Sequence, residues 1–214
     1  MRAFLSITLL SLVTPLASSH AARYVDQEFK IIYQVYSPTW DFYDSAWALE
    51  AELQRWYSDT LGYAIVGGLQ EWTPARRPKE ILRFNETLVV RRNFAYIPMG
   101  VYVLYRPIVN EYLSLTFAAG GRFAVGATTA TADVSVDTSE GVNRIRAGGM
   151  DVGTSFMASL AADLEWRCTE NTYLFGGVGY QQDILPGEIA FAGSKFADNE
   201  LSAPFFRIGV VIDM

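Results

Sequence analysis

From Tyr96 to Ala124 the chain alternates with a period of two, in two runs joined by the turn Arg106-Pro107-Ile108-Val109-Asn110. One set of positions reads Ile97, Met99, Val101, Val103 and Tyr105, then Leu113, Leu115, Phe117, Ala119 and Phe123. The other reads Pro98, Gly100, Tyr102, Leu104 and Arg106, then Ser114, Thr116, Ala118, Gly120 and Arg122. Successive side chains of a strand point to opposite faces, so the pattern predicts a hairpin with one greasy face and one that is small, polar or charged. A soluble sheet would turn the greasy face inward. Two arginines among glycines and alanines instead suit the crowded interior of a closed barrel whose greasy face meets lipid.

The same alternation recurs along the chain. Near Glu28 to Tyr36, Phe29, Ile31, Tyr33 and Val35 oppose Lys30, Ile32, Gln34 and Tyr36. Over 46–57, Trp47, Leu49, Ala51, Leu53 and Tyr57 oppose Ala48, Glu50, Glu52, Gln54 and Trp56. Further strands are predicted at Leu61–Trp72, which is rich in glycine, at Phe156–Arg167, at Thr172–Asp183 and at Ala203–Met214. In the seventh, the faces stay open and Gly176-Gly177 suggests a bulge. With the central hairpin this makes eight strands, each close to the roughly 9 to 11 residues a tilted membrane strand needs. Connections after strands two, four and six are short, while the longest, Thr73–Arg92 and Gly126–Val152, follow strands three and five. Short turns on the periplasmic side and long loops outside are the habit of such barrels, and an even count leaves both termini on the short-turn side. The expected fold is all-β, an eight-stranded antiparallel up-and-down transmembrane barrel.

The N-terminus adds an address. Met1-Arg2 precedes an apolar run, Ala3 to Ala17, and Ser19-His20-Ala21 places small residues at a cleavage site, so 1–21 reads as a secretory signal peptide and 22–214 as the barrel. No later stretch has the roughly 18 consecutive apolar residues of a membrane helix, so any crossing is made by strands. Cys168 is the single cysteine, which excludes an internal disulfide and, far from the cleavage site, a lipid-anchored N-terminus. A net charge of −6 argues against nucleic acid as a partner. The one histidine, His20, goes with the signal peptide, which removes the general base or triad member that lipid-cleaving and protease barrels rely on.

Inward parity collects Glu50, Glu52, Asp163 and Glu165 with Arg106, Arg122, Arg167 and Arg207. An eight-stranded barrel is only just wide enough for its own side chains. An unpaired buried ion there is costly, so these groups are expected to pair as a plug that holds the lumen shut. Acid–base chemistry by the Glu50/Glu52 or Asp163/Glu165 pairs is the less favoured reading, since arginines stand beside both. Asp133-x-Ser135-x-Asp137 lacks the glycine and terminal glutamate of a calcium loop and reads as a strand extension above the membrane. No cofactor or metal site is expected. Tyr57, Tyr63, Tyr105, Tyr112 and Trp166 have outward parity close to short turns, as an aromatic girdle at one membrane interface would. The connection after strand three carries Arg76, Arg77, Lys79, Arg83, Arg91 and Arg92, a basic group suited to the phosphates of lipopolysaccharide. The last long connection holds the apolar residues Ile184, Leu185, Phe191 and Phe196.

The mature sequence resembles the small outer-membrane barrel families that include the OmpA transmembrane domain and OmpX. The resemblance is most specific at Arg207-x-Gly209-x-x-Ile212-x-Met214, which is similar to the terminal signal read by the barrel assembly machinery, although the family usually ends in Phe or Trp. It implies outer-membrane lipid and lipopolysaccharide as surroundings, assembly by that machinery, a monomer, and no following peptidoglycan-binding domain. The expected role is non-enzymatic, in envelope integrity or surface interaction through the loops. Two alternatives stand beside it: a narrow conduit for small or hydrophobic solutes, as in OmpW-type barrels, and a secreted soluble barrel of the lipocalin type.

Overall fold

The computed structural model describes residues 26–75, 79–81, 86–90, 93–110, 112–127, 130–138, 141–191 and 194–214. They form only strands: β1 (Gln27–Tyr36), β2 (Tyr43–Trp56), β3 (Leu61–Pro74), β4 (Lys79–Ile81), β5 (Glu86–Val90), β6 (Phe94–Val109), β7 (Leu113–Gly126), β8 (Ala130–Thr138), β9 (Gly141–Val152), β10 (Ser155–Arg167), β11 (Thr172–Leu185), β12 (Gly187–Phe191), β13 (Ser194–Asn199) and β14 (Ala203–Asp213). Eight of them close a barrel in the order β1-β14-β11-β10-β7-β6-β3-β2. Every pairing in it is antiparallel, and closure of β1 on β14 removes both sheet edges.

The apolar rows point outward. Val101 is 56% exposed and Leu160 63%, whereas Glu52, Asp163 and Glu165 are fully buried inside. This is the inverse of a soluble barrel, and it rules out the lipocalin alternative, whose ligand cavity requires the greasy face within. Glycines make the interior possible. A Cβ at Gly209 would collide with the Ile31 carbonyl oxygen and lie 2.7 Å from the Phe175 ring, so only glycine lets β14 lie this close to β1 beside that ring.

Four details depart from expectation. The turn after the fourth barrel strand begins later: β6 continues to Val109 with an irregularity between Tyr105 and Ile108, so Arg106 is a strand residue pointing inward. The turn is made by Asn110, whose side-chain oxygen accepts from the Tyr112 and Leu113 amides. Gly176 and Gly177 stay in regular register, and the break in β10–β11 pairing falls at Phe156/Met157 instead. The seventh barrel strand has definite faces, with Tyr173, Phe175 and Gln181 in and Leu174, Val178 and Tyr180 out. Finally, the long connections are not bare loops. They build a six-stranded sheet, β13-β12-β9-β8-β5-β4, beyond the long-connection end, where Asp133, Ser135 and Asp137 lie on β8 between β5 and β9.

Candidate functional site: the filled lumen

The inward row of each strand delivers polar groups at successive heights, and the registers bring them together. Nearest the short turns, Arg106 on β6 reaches across to Glu28 on β1 with two parallel bonds of 2.9 and 2.7 Å. Its Nε donates to Thr116 Oγ1 at 3.2 Å, and its guanidinium lies 3.8 Å from the Trp56 ring centroid. The fork geometry satisfies both carboxylate oxygens while the indole covers one face of the cation. Glu165 accepts from Ser114 Oγ at 2.9 Å and lies 3.5 Å from Arg106.

One layer higher, Asp163 is the hub. It accepts from Lys30 Nζ at 2.6 Å and from Arg207 Nε and Nη2 at 2.6 and 2.5 Å. Lys30 also donates to Glu165 at 3.0 Å and sits 4.0 Å above the Phe175 ring. Arg207 reaches Glu52 at 3.4 Å, and Gln54 donates to the same carboxylate at 2.9 Å. Above this, Glu50 is held by Arg122 and by the Gln34 amide, and Arg122 extends to the Tyr102 hydroxyl at 3.5 Å. Among the described residues the buried charges are four cations and five carboxylates, so the lumen is filled by nearly balanced ions. Each of the four cations has a carboxylate partner, as the expense of an unpaired buried ion requires.

The upper lumen is of another kind. Tyr36, Tyr43, Trp72, Phe94, Tyr96 and Phe205 pack with Met150, Met157, Ile189 and Leu201 into one buried cluster. Tyr43 and Trp72 meet edge to face at 4.9 Å, and Tyr36 meets Phe205 at 5.4 Å. A polar seam ties the cluster to the outer connections: Tyr43 donates to Asn199 Oδ1 at 2.6 Å, and Asn199 Nδ2 donates to the Tyr96 hydroxyl at 2.9 Å. Near the far end of β11, Asp183 accepts from the Leu201 amide while Gln181 donates to the Leu201 carbonyl at 2.5 Å.

Of the eight charges the alternation assigned to the lumen, seven meet there and one does not. Arg167 ends β10 opposite Tyr173, one step below Glu165, and its long side chain turns to the rim, donating to the Thr169 and Glu170 carbonyls at 3.0 and 2.9 Å. Sequence reasoning missed Glu28 and Lys30 as members of the network. Both share the inward parity of β1, the same signal that identified Glu50 and Glu52. The aromatic cap was missed too, because most of its rings stand at or beyond the strand ends that the alternation delimits. Tyr57, Tyr105, Tyr112 and Trp166 are exposed on the outer wall near the short turns, with Tyr63 half-buried against Tyr57 at 5.5 Å. Arg207, Gly209 and Ile212 lie on β14, the closing strand, and Met214 follows it. Lys79 opens β4, whereas Arg76, Arg77, Arg83, Arg91 and Arg92 lie outside the described residues. Ile184 and Leu185 are exposed at the end of β11; Phe191 and Phe196 fall on β12 and β13.

No family model matches the chain, and no curated protein does. Solved structures do. The outer membrane protein OprG of Pseudomonas aeruginosa superposes with a TM-score of 0.57 at 12% identity, covering 88% of this chain and 95% of that one. A major outer membrane protein of Thermus thermophilus does so with a TM-score of 0.50 at 10% identity, covering 87% of this chain and 98% of that one. Identity this low speaks to architecture alone, and the architecture agrees with what the belt and the lumen show independently: the chain has the fold of the small bacterial outer-membrane barrels.

Proposed function

We propose that the chain is a non-enzymatic outer-membrane barrel with a closed lumen, serving envelope integrity or surface interaction through the sheet that its long connections build. The observation that carries this reading is the ionic network from Glu28 to Glu50, which spans the interior and lies beneath the aromatic cluster around Trp72. Opening a path would require separating buried charge pairs, and each unpaired ion left behind costs several kcal/mol. Outer-membrane lipid and lipopolysaccharide then surround the wall, with the basic stretch from Arg76 to Arg83 a candidate contact for lipid phosphate. The barrel assembly machinery reads β14, and the barrel works as a monomer. No nucleic acid, metal or cofactor enters the role.

A conduit for small solutes is the competing reading, and solute flux separates the two. Proteoliposomes loaded with an impermeant polymer are placed in isotonic arabinose. The closed lumen predicts swelling no faster than protein-free vesicles; swelling that scales with protein content would overturn it.

A further inference from the structure

The outer wall is not uniformly convex. Across β6, β7, β10 and β11 the outward positions fall to Ala119 and Ala162 between taller neighbours, Val103 and Phe117 on one side and Leu160 and Val178 on the other, leaving a groove of about 530 Å³. A second depression of about 430 Å³ continues it across β14, with Gly176 as floor between Leu164, Phe206 and Ile208. The two share Ala162 and Val178, so they form one inclined channel over five neighbouring strands. Arg207 is the one ionised residue along it, and its guanidinium is engaged inward with Asp163. The ridges stand high: Val103 and Leu160 are each 63% exposed and Phe206 70%.

We propose that this channel seats one fatty acyl chain of a bilayer phospholipid. Three features select that occupant. The channel is continuous with the apolar belt, the surface this barrel presents to hydrocarbon, so what reaches it first is a lipid tail. It crosses four strand spacings of about 4.8 Å, roughly 19 Å in all. One leaflet of a hydrocarbon core about 30 Å thick has chains of roughly 15 Å, so a whole tail fits along it. Its width is set by single side chains on either bank. A tail that failed to enter would leave the alanine and glycine floor without partner atoms, and one lying in the channel recovers those dispersion contacts along its length. The inference rests on the lipid-facing belt and not on the sealed lumen, so a barrel found to conduct would leave it standing.

Ala162→Phe places a ring in the channel on the lipid side, away from the interior, and Ala119→Phe does so from β7. Ala51→Phe makes the same change on β2, on the other side of the barrel. The full mature protein, refolded in a non-ionic detergent, is titrated with palmitoyl-oleoyl phosphatidylethanolamine and examined by native mass spectrometry, with folding of each variant verified by heat-modifiable gel mobility. The expected result is one retained phospholipid per barrel for the parent and for Ala51→Phe, and at least tenfold weaker retention for whichever channel variants fold. Equal retention in all folded forms would overturn the proposal. So would a dimer that Ala162→Phe or Ala119→Phe dissolves, since the channel would then seat a second copy of the chain. Failure of both channel variants to fold would also count against it, because it would show that the floor is packed against protein and not open to lipid.

Discussion

The lower and upper halves of the lumen are filled by opposite chemistry within one set of strands. Below, long charged side chains cross the interior and neutralise one another at Glu28, Lys30, Asp163 and Arg207. Above, rings from β1, β2, β3, β6 and β14 meet with few polar atoms between them. Two successive inward glycines of β11 mark the border. A Cβ at Gly177 would collide with Asp163 Oδ1, and one at Gly179 would collide with the Phe205 ring. The same device, an absent side chain facing a large one, serves ions in one layer and aromatics in the next. The ionic half fixes which groups face which, because a charge without its partner is heavily penalised; the aromatic half fills volume.

That contrast can be broken most forcefully at its hub. Asp163→Ala leaves Lys30 and Arg207 short of their shared carboxylate and is expected to cost about 3–5 kcal/mol, as breaking buried pairs does. Urea unfolding in lipid vesicles measures this, and a loss below about 1 kcal/mol would show the network to be slack. Adding Arg207→Leu to Asp163→Leu is expected to recover part of the loss, since two apolar groups replace a broken pair.

In the upper half, Trp72→Ala is expected to cost about 3–4 kcal/mol from cavity formation. Neither this loss nor most of that at Asp163 should depend on salt, because the one involves no ion and the ions of the other are buried and little screened, and matched titrations in low and high salt check both. Gly179→Ala, which crowds Phe205, is expected to cost about 1–3 kcal/mol through overpacking.

How much of this was readable beforehand divides along the same border. The period-two alternation located the eight barrel strands and placed seven of eight candidate charges inside, because parity alone fixes a side chain's direction in a strand. Lys30 and Glu28 obeyed the same rule and were legible in principle. Arg167 obeyed the parity but not the outcome, since a long side chain at a strand end can reach the turn instead of the lumen. The aromatic cap was not legible. Tyr43, Trp72, Phe94 and Tyr96 stand at or beyond the ends of the alternating runs, and only the inter-strand register shows that they converge. The second sheet was hidden for a related reason: β4, β5, β12 and β13 are six residues long or less, and neighbours distant in sequence, β5 with β8 and β9 with β12, hold it together.

In the proposed closed lumen, paired ions and packed rings leave no aqueous path through the barrel, and single-channel recording in planar bilayers tests this. A quiet baseline is expected for the parent protein at moderate voltage, with openings appearing when Asp163→Ala and Trp72→Ala are combined. Steady unitary conductance from the parent itself would contradict it.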